Sequence, residues 1–287
     1  MKYYNTTDGS RIAYATEGNG IPIVFIHGWS VEFHLWRNKI EAIGGSWKRK
    51  YQRIYFDLPG MGKSTGAKSI GNSDDMLRNI EEFLEFSIGE KPYVLAGESY
   101  GGYLARGLLA KQADRIDGLF LLCPIVVPGD RKGKVPERIV LECDKKFLAT
   151  LSKKDHSEFE YLSVVQNKKM WKDYKRDIRL ERLKENEGFL EGQLDGAFSV
   201  DPNQTEVKYE KPVLLLLGRQ DSEVGFEQQY DLYKAYSRAT IMILDKAGHN
   251  LQIENRELFS QSFLDFLGRI ESGKKEPEHH DQSAVNR

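Results

Sequence analysis

The stretch Val94-Leu95-Ala96-Gly97-Glu98-Ser99-Tyr100-Gly101-Gly102 constrains the fold of this chain more than any other. An apolar run leads into Gly-x-Ser-x-Gly, and apolar and small residues at helical spacing follow from Tyr103 to Lys111. This succession reads as a buried strand, a sharp turn and a helix, the layout of a nucleophile elbow. Gly97 and Gly101 are expected to let the backbone turn without a side-chain clash, leaving Ser99 strained and pointing outward. The N–H of Tyr100 would then open a helix, where negative charge is stabilised. Taken alone, Ser99 also fits an ordinary turn serine, so the rest of the chain has to supply its partners.

The flanking texture alternates strand and helix. Residues 2 to 17 predict two short antiparallel strands around the turn pair Asp8-Gly9. Ile21 to Ile26 is a continuous apolar run, suited to a strand covered on both faces, and it ends in the loop His27-Gly28-Trp29. A short helix within Ser30 to Ile43, a strand at Tyr51 to Phe56 and a helix at Asp74 to Phe86 follow. Further strands are expected at Gly118 to Cys123, Pro212 to Leu217 and Thr240 to Leu244, and a last helix at Arg256 to Ile270. Strands alternating with helices imply a parallel sheet. Residues from about 127 to 208 differ: no strand is evident, and helices are expected at Glu137 to Leu151, Ser157 to Gln166, Met170 to Leu183 and Gly188 to Asp195.

Composition excludes several classes. Lys+Arg number 42 against Asp+Glu 43, a balance without the global bias that nucleic acid or an anionic membrane would favour. The run Lys168-Lys169, Lys172, Lys175-Arg176 reads as a solvated helix face. Gly62-Lys63-Ser64 lacks the glycine a phosphate loop needs five positions earlier, where Asp57 stands, and reads as a tight turn. Cys123 and Cys143 show no metal-ligand spacing, no apolar run approaches membrane-spanning length, and the first residues carry no signal core. A cytoplasmic protein is expected, with no metal, no cofactor, no nucleic acid and no membrane partner, as a monomer or homodimer.

A serine hydroxyl needs a base within hydrogen-bond reach, and the base needs an orienting acid. His249, in Ala247-Gly248-His249-Asn250, follows the final strand; Asp221, in Gly218-Arg219-Gln220-Asp221, follows the strand before it. Ser99, Asp221 and His249 thus fall at carboxyl ends of parallel strands in the chain order of this architecture. Singly, His249 reads as a capping residue and Asp221 as a helix start. The second oxyanion donor is expected from the N–H of Trp29, with that of Tyr100 as the first. His27 reads as structural, His34 as packing and His156 as a surface residue. Val31, Phe33, Trp36, Tyr103, Trp171 and Val224 are candidates to line an apolar acyl pocket, with core packing as the alternative for most of them.

On His27-Gly28-Trp29, Asp57-Leu58-Pro59-Gly60-Met61-Gly62, the elbow, Gly218-Arg219-Gln220-Asp221 and Gly248-His249-Asn250, the chain resembles the α/β-hydrolase superfamily from about residue 3 to 270. The resemblance implies a mostly parallel eight-stranded sheet with helices on both faces. Together with the helical texture of 127–208 and the apolar-poor last residues, it divides the chain into a core of 1–126 and 209–270, an inserted all-helical cap of 127–208 and a disordered polar tail of 271–287. By the same resemblance Ser99 is nucleophile, His249 base, Asp221 acid, and the amides of Trp29 and Tyr100 the oxyanion hole. Epoxide hydrolases and haloalkane dehalogenases of this superfamily carry aspartate where Ser99 stands, which disfavours both. Glu98 departs from the histidine or asparagine often found before the serine, and is expected to be buried facing away from the site. Three readings follow. One is a hydrolase of a carboxylic ester or lactone, whose small-molecule substrate has an apolar acyl part. The second is an aminopeptidase of the proline-iminopeptidase-like kind, needing inward cap carboxylates such as Glu137, Glu142 or Glu187. The third is a small-ligand receptor on the same fold.

Overall fold

Apolar runs without alternation predict strands covered on both faces. In the computed structural model, which describes residues 1–126, 135–179, 186, 188, 189 and 208–273, such runs form the centre of a large sheet. The strands are β1 (Lys2–Asn5), β2 (Arg11–Glu17), β3 (Ile21–Ile26), β4 (Tyr51–Phe56), β5 (Tyr93–Glu98) and β6 (Ile116–Leu122), then β7 (Glu142–Cys143), β8 (Val165–Gln166), β9 (Val213–Gly218) and β10 (Ala239–Leu244). Eight of them make one sheet in the order β1-β2-β4-β3-β5-β6-β9-β10. Only β2 runs against its neighbours; the pairings from β4 to β10 are parallel. Every residue of β5 and β9 is buried, as strands central to a two-sided sheet require.

Register decides what lies together at the edge. Ile26 pairs with Gly97, Glu98 with Leu122, Leu122 with Leu216, and Gly218 with Leu244. The loops after β3, β5, β6, β9 and β10 therefore emerge side by side at the carboxyl ends, where α/β sheets place their ligand crevices.

Helices cover both faces. On one, α1 (His34–Ile40) and the final helix Arg256–Gly273 pack on the sheet through Trp36, Phe259, Phe263 and Phe266 against Phe25 and Phe120. On the other, α2 (Ser73–Ile88) sets Phe83 against Tyr14 and Phe56, and packs beside α3 (Tyr100–Gln112). Asn72 caps α2 by accepting the N–H of Asp75, and Asp74 and Asp75 suit the positive end of the helix dipole. The final helix runs three residues into the expected tail, because Glu271 pairs with Lys50 and accepts from the Tyr51 hydroxyl. Residues 274–287 lie outside the described residues.

The insertion is not all-helical. β7 and β8 pair in parallel, Glu142 with Val165 and Cys143 with Gln166. The expected helix over 137–151 is reduced to α4 (Lys145–Leu148), because Asp144 caps a new start at Lys145 by accepting the N–H of Phe147. α5 (Lys153–Leu162) begins four residues before the expected position because Ser152 caps it; α6 (Lys168–Asp177) begins after Asn167, which accepts from Lys169 and Met170. A buried ionic cluster ties α6 to α1. Lys39 Nζ lies 2.8 Å from Asp177, which also accepts from Asn38 and Arg176. Arg176 reaches Asp173 and Asp177 from the exposed side of α6, and Lys175 lies over the Trp171 ring, so the basic run keeps the solvated face expected of it. The expected helix over 188–195 lies outside the described residues apart from Gly188 and Phe189. Phe189 lies on Gly60 and Gly66, where any Cβ would strike its ring, and Asn186 donates to the carbonyl of Ser64.

Candidate active site

Ser99 carries the strain of the elbow itself, with φ 52° and ψ −116°. The flanking glycines spare the turn a side-chain clash, as expected, and neither does so through a positive φ. A Cβ on Gly97 would collide with the carbonyl of Gly101, and one on Gly101 with the carbonyls of Ile26 and His27. Close backbone approach, not turn conformation, demands glycine there. Among the described residues the positive-φ non-glycines are Ser30, Ser99 and Cys123, all near the carboxyl ends of β3, β5 and β6. Such conformations cost on the order of 1–3 kcal/mol each and concentrate at functional sites.

Asp221 and His249 meet as the sequence order requires. The Nδ1–H of His249 donates to Asp221 Oδ2 at 2.8 Å, and the carboxylate is fully buried. The other oxygen, Oδ1, accepts the N–H groups of Glu223 at 2.9 Å and Val224 at 3.0 Å, so a turn after β9 holds the acid rigid. This bond leaves Nε2 as the nitrogen available to take a proton. Burial works against a charge on the ring, but Asp221, and after it Glu98 and Glu223, lift the His249 imidazolium to about 9.

Glu98 does not face away from the site. Its Oε1 lies 3.5 Å from His249 Nε2, and its Oε2 lies against Gly28 without a hydrogen-bonded partner among the described residues. The elbow turns at Ser99, so the end of β5 stays beside His249. Burial pushes the Glu98 carboxyl up to about 7, with His249 opposing and Asp221 adding to the shift. No hydrogen bond joins Ser99 Oγ to His249 among the described residues; the ring edge turns to Glu98 instead.

His27 welds two loops together. Its Nδ1–H donates to the carbonyl of Gly28 at 2.8 Å, and its Nε2 accepts the N–H of Leu58 at 2.9 Å. Burial holds the imidazole neutral, down to about 4, against that bond and the charge of Glu32. Beneath it Asp57 accepts the N–H groups of Phe33 and Lys63, and Ser64 donates to the Asp57 carbonyl. The stretch that resembled a phosphate loop is this turn. Trp29 follows the weld and Tyr100 opens α3 directly after Ser99, and their rings meet edge to face at 5.2 Å.

Of the expected pocket residues, Trp36 belongs to the core: it is fully buried on the inner side of α1, and its indole N–H donates to the carbonyl of Ile26. Phe33 is buried against His34 and lines a surface groove with Tyr14 and Arg37. Trp171 packs with Phe159 and Tyr174 inside the insertion. Tyr103 stacks on Tyr100, Val224 is buried at the Asp221 turn, and Val31 is half-buried against the core.

Glu254 escaped sequence reasoning. It accepts the N–H of Gly248 at 2.7 Å on one oxygen and that of Val164 at 2.7 Å on the other, joining the His249 loop to the insertion. The available signal was an acid beside the otherwise apolar and amide residues Leu251-Gln252-Ile253. Donor atoms of Cys123, Asp221 and His249 lie within 4.8 Å of one another, a spacing that would fit a metal ion. Burial, however, pushes the Cys123 thiol well above its ordinary range, and the Asp221–His249 bond occupies the other two.

A sheet of this order with an elbow after β5 and an acid–imidazole pair after β9 and β10 defines a class, and the comparisons agree with it. The family profile of the alpha/beta hydrolase fold matches residues 21–256, and the chain belongs to that family. An alpha/beta superfamily hydrolase from Oenococcus oeni PSU-1 superposes with a TM-score of 0.83 at 30% identity, covering 94% of this chain and 100% of that one. A 2-hydroxy-6-oxononadienedioate/2-hydroxy-6-oxononatrienedioate hydrolase from Paraburkholderia phymatum is 25% identical, covering 93% of this chain and 96% of its own. A pimeloyl-[acyl-carrier protein] methyl ester esterase from Legionella pneumophila is 24% identical over 87% of this chain and 96% of its own. Among the described residues no helix is long and apolar enough to cross a membrane.

Proposed function

We propose that this chain is a serine hydrolase that cleaves a carboxylic ester or lactone through an acyl-serine intermediate. The observation that carries the reading is the 2.8 Å bond between His249 and the fully buried Asp221, set at the sheet edge where Ser99 occupies its left-handed turn. In this scheme His249 swings its Nε2 to Ser99 Oγ and takes its proton as the oxygen attacks the acyl carbon. The N–H groups of Trp29 and Tyr100 receive the oxyanion, and losing one such donor costs about 100- to 1,000-fold. The imidazolium then protonates the leaving alcohol, and water repeats the sequence to release the acid. Asp221 keeps the Nδ1 tautomer throughout.

Ester specificity draws support from the Legionella relative, an esterase by name. The peptidase reading needs a carboxylate turned toward the crevice to hold an α-amine. Glu142 turns outward to Lys246 and Glu137 is exposed, while Glu187 lies outside the described residues. The free thiols Cys123 and Cys143 suit a reducing, cytoplasmic setting. A panel of acyl esters, lactones and aminoacyl arylamides, run with Ser99→Ala as control, tests the assignment. Turnover confined to esters or lactones supports it. Preference for aminoacyl arylamides favours the peptidase, and labelling of Ser99 without any turnover favours the receptor.

A further inference from the structure

The mechanism above leaves one buried acid without a part. Glu98 ends β5 immediately before the nucleophile, and its side chain is 4% exposed. Oε1 sits 3.5 Å from Nε2 of His249, on the ring edge opposite the bond to Asp221. Gly28 makes the room, since a Cβ there would strike Oε2, the oxygen that finds no partner among the described residues. At 3.5 Å the two atoms form an ion-pair contact without a hydrogen bond, and a carboxylate so placed favours a proton on Nε2 over a bare lone pair. That lone pair is also what the Ser99 hydroxyl needs before it can act as a nucleophile.

We propose that Glu98 is a positioning residue that competes with Ser99 for the Nε2 edge of His249, parking the imidazole until Nε2 loses its proton. The proposal rests on the serine-hydrolase reading of this site. The charged and titratable groups facing the pair come from five places. They are Glu98 on β5, Cys123 after β6, Asp221 and Glu223 after β9, His249 itself, and Glu254 on the helix Leu251–Glu254, which lies within the field of Asp221. The anionic groups all favour the protonated ring, and Glu98 is the one placed at the edge that reacts. Removing its charge lowers the proton affinity of His249 and frees the base at lower pH.

The test follows the rate of covalent labelling of Ser99 by a fluorophosphonate from pH 5 to 10, using the full chain, Glu98→Gln and Glu98→Asp. This needs no knowledge of the natural substrate, and its acid limb reports the base in the free enzyme. In Glu98→Gln the limb should fall by about one unit or more, making labelling about tenfold faster at pH values below both limbs. Glu98→Asp, with its carboxylate drawn back, should fall between the two. If Glu98→Gln labels along the wild-type profile, Glu98 only fills space and the proposal is wrong. Failure of the wild type to label at Ser99 would instead remove the serine-hydrolase reading. Should Glu98→Gln not fold, the downfield Nδ1 proton of wild-type His249, followed by NMR, decides. Titration above the ordinary imidazole range together with a Glu98→Asp limb below that of the wild type upholds competition, and any other combination overturns it.

Discussion

Two carboxylates flank one imidazole, and the regions that hold them are built differently. Asp221 lies in a turn that spends both its oxygens: one on the ring, one on two backbone N–H groups. Glu98 lies at the end of β5 with one oxygen 3.5 Å from the ring and the other packed against Gly28. A fully bonded carboxylate fixes geometry, because moving it breaks several charge-assisted hydrogen bonds at once. One held by fewer bonds in a dry site shifts proton affinity instead, because its charge is poorly screened. The Nδ1 side of His249 is thus scaffold, and the Nε2 side is adjustable.

The largest expected effect lies on the scaffold side. Asp221→Asn should retain the fold yet lower kcat by up to about 10,000-fold, since an amide leaves the imidazole in the wrong tautomer. A loss under about tenfold on an ester substrate would mean that another acid orients the ring, and the contrast between the two sides would collapse. A smaller effect is expected at the third carboxylate. Glu254→Ala orphans the N–H groups of Gly248 and Val164, which should lower unfolding stability by about 2–4 kcal/mol. Urea unfolding measures this, and an unchanged midpoint would show that the insertion and the His249 loop are not coupled through it.

Acid sensitivity should come from His27. Its folded value of about 4 lies below the ordinary imidazole value of about 6.5, so its contribution is complete above pH 6.5 and is lost as pH falls toward 4. The difference corresponds to about 3 kcal/mol. His27→Phe should cost about 2 kcal/mol at pH 7, by stranding the Leu58 N–H and the Gly28 carbonyl, and should flatten the decline between pH 6.5 and 4. An equally steep decline in the variant would place the acid-labile group elsewhere. The smallest effect is expected at Trp171. Its packing within the insertion predicts that Trp171→Leu shifts the melting temperature by a few degrees and leaves the order of ester preferences unchanged. A reordered substrate ranking would place it at the crevice.

The sheet was legible because its strands are apolar runs that need no partner to be recognised. Ile21–Ile26, Tyr93–Glu98 and Val213–Gly218 stand within two residues of where patterning puts them. The insertion was less legible, because Asp144, Ser152 and Asn167 decide its elements through side-chain caps in a mixed-charge sequence, and β7 and β8 are only two residues long. Which residues gather at the edge could be read from strand ends. Which way they point could not: Trp36 is apolar and near the site in sequence, yet helix phase turns it to the core. The orientation of Glu98 depends on Gly28, seventy positions away, leaving space for an acid. Glu254 likewise acquires its role only when the insertion folds back onto the His249 loop.

The central claim is that Ser99, reached by His249, is an activated nucleophile, and mass spectrometry of the intact chain after fluorophosphonate treatment tests it most directly. An exposed serine without a base and an oxyanion pocket does not react with this reagent at a useful rate. One adduct per chain is predicted, mapped to the peptide containing Ser99 and absent from both Ser99→Ala and His249→Ala. No adduct on the wild type, or one that survives Ser99→Ala, would contradict the account.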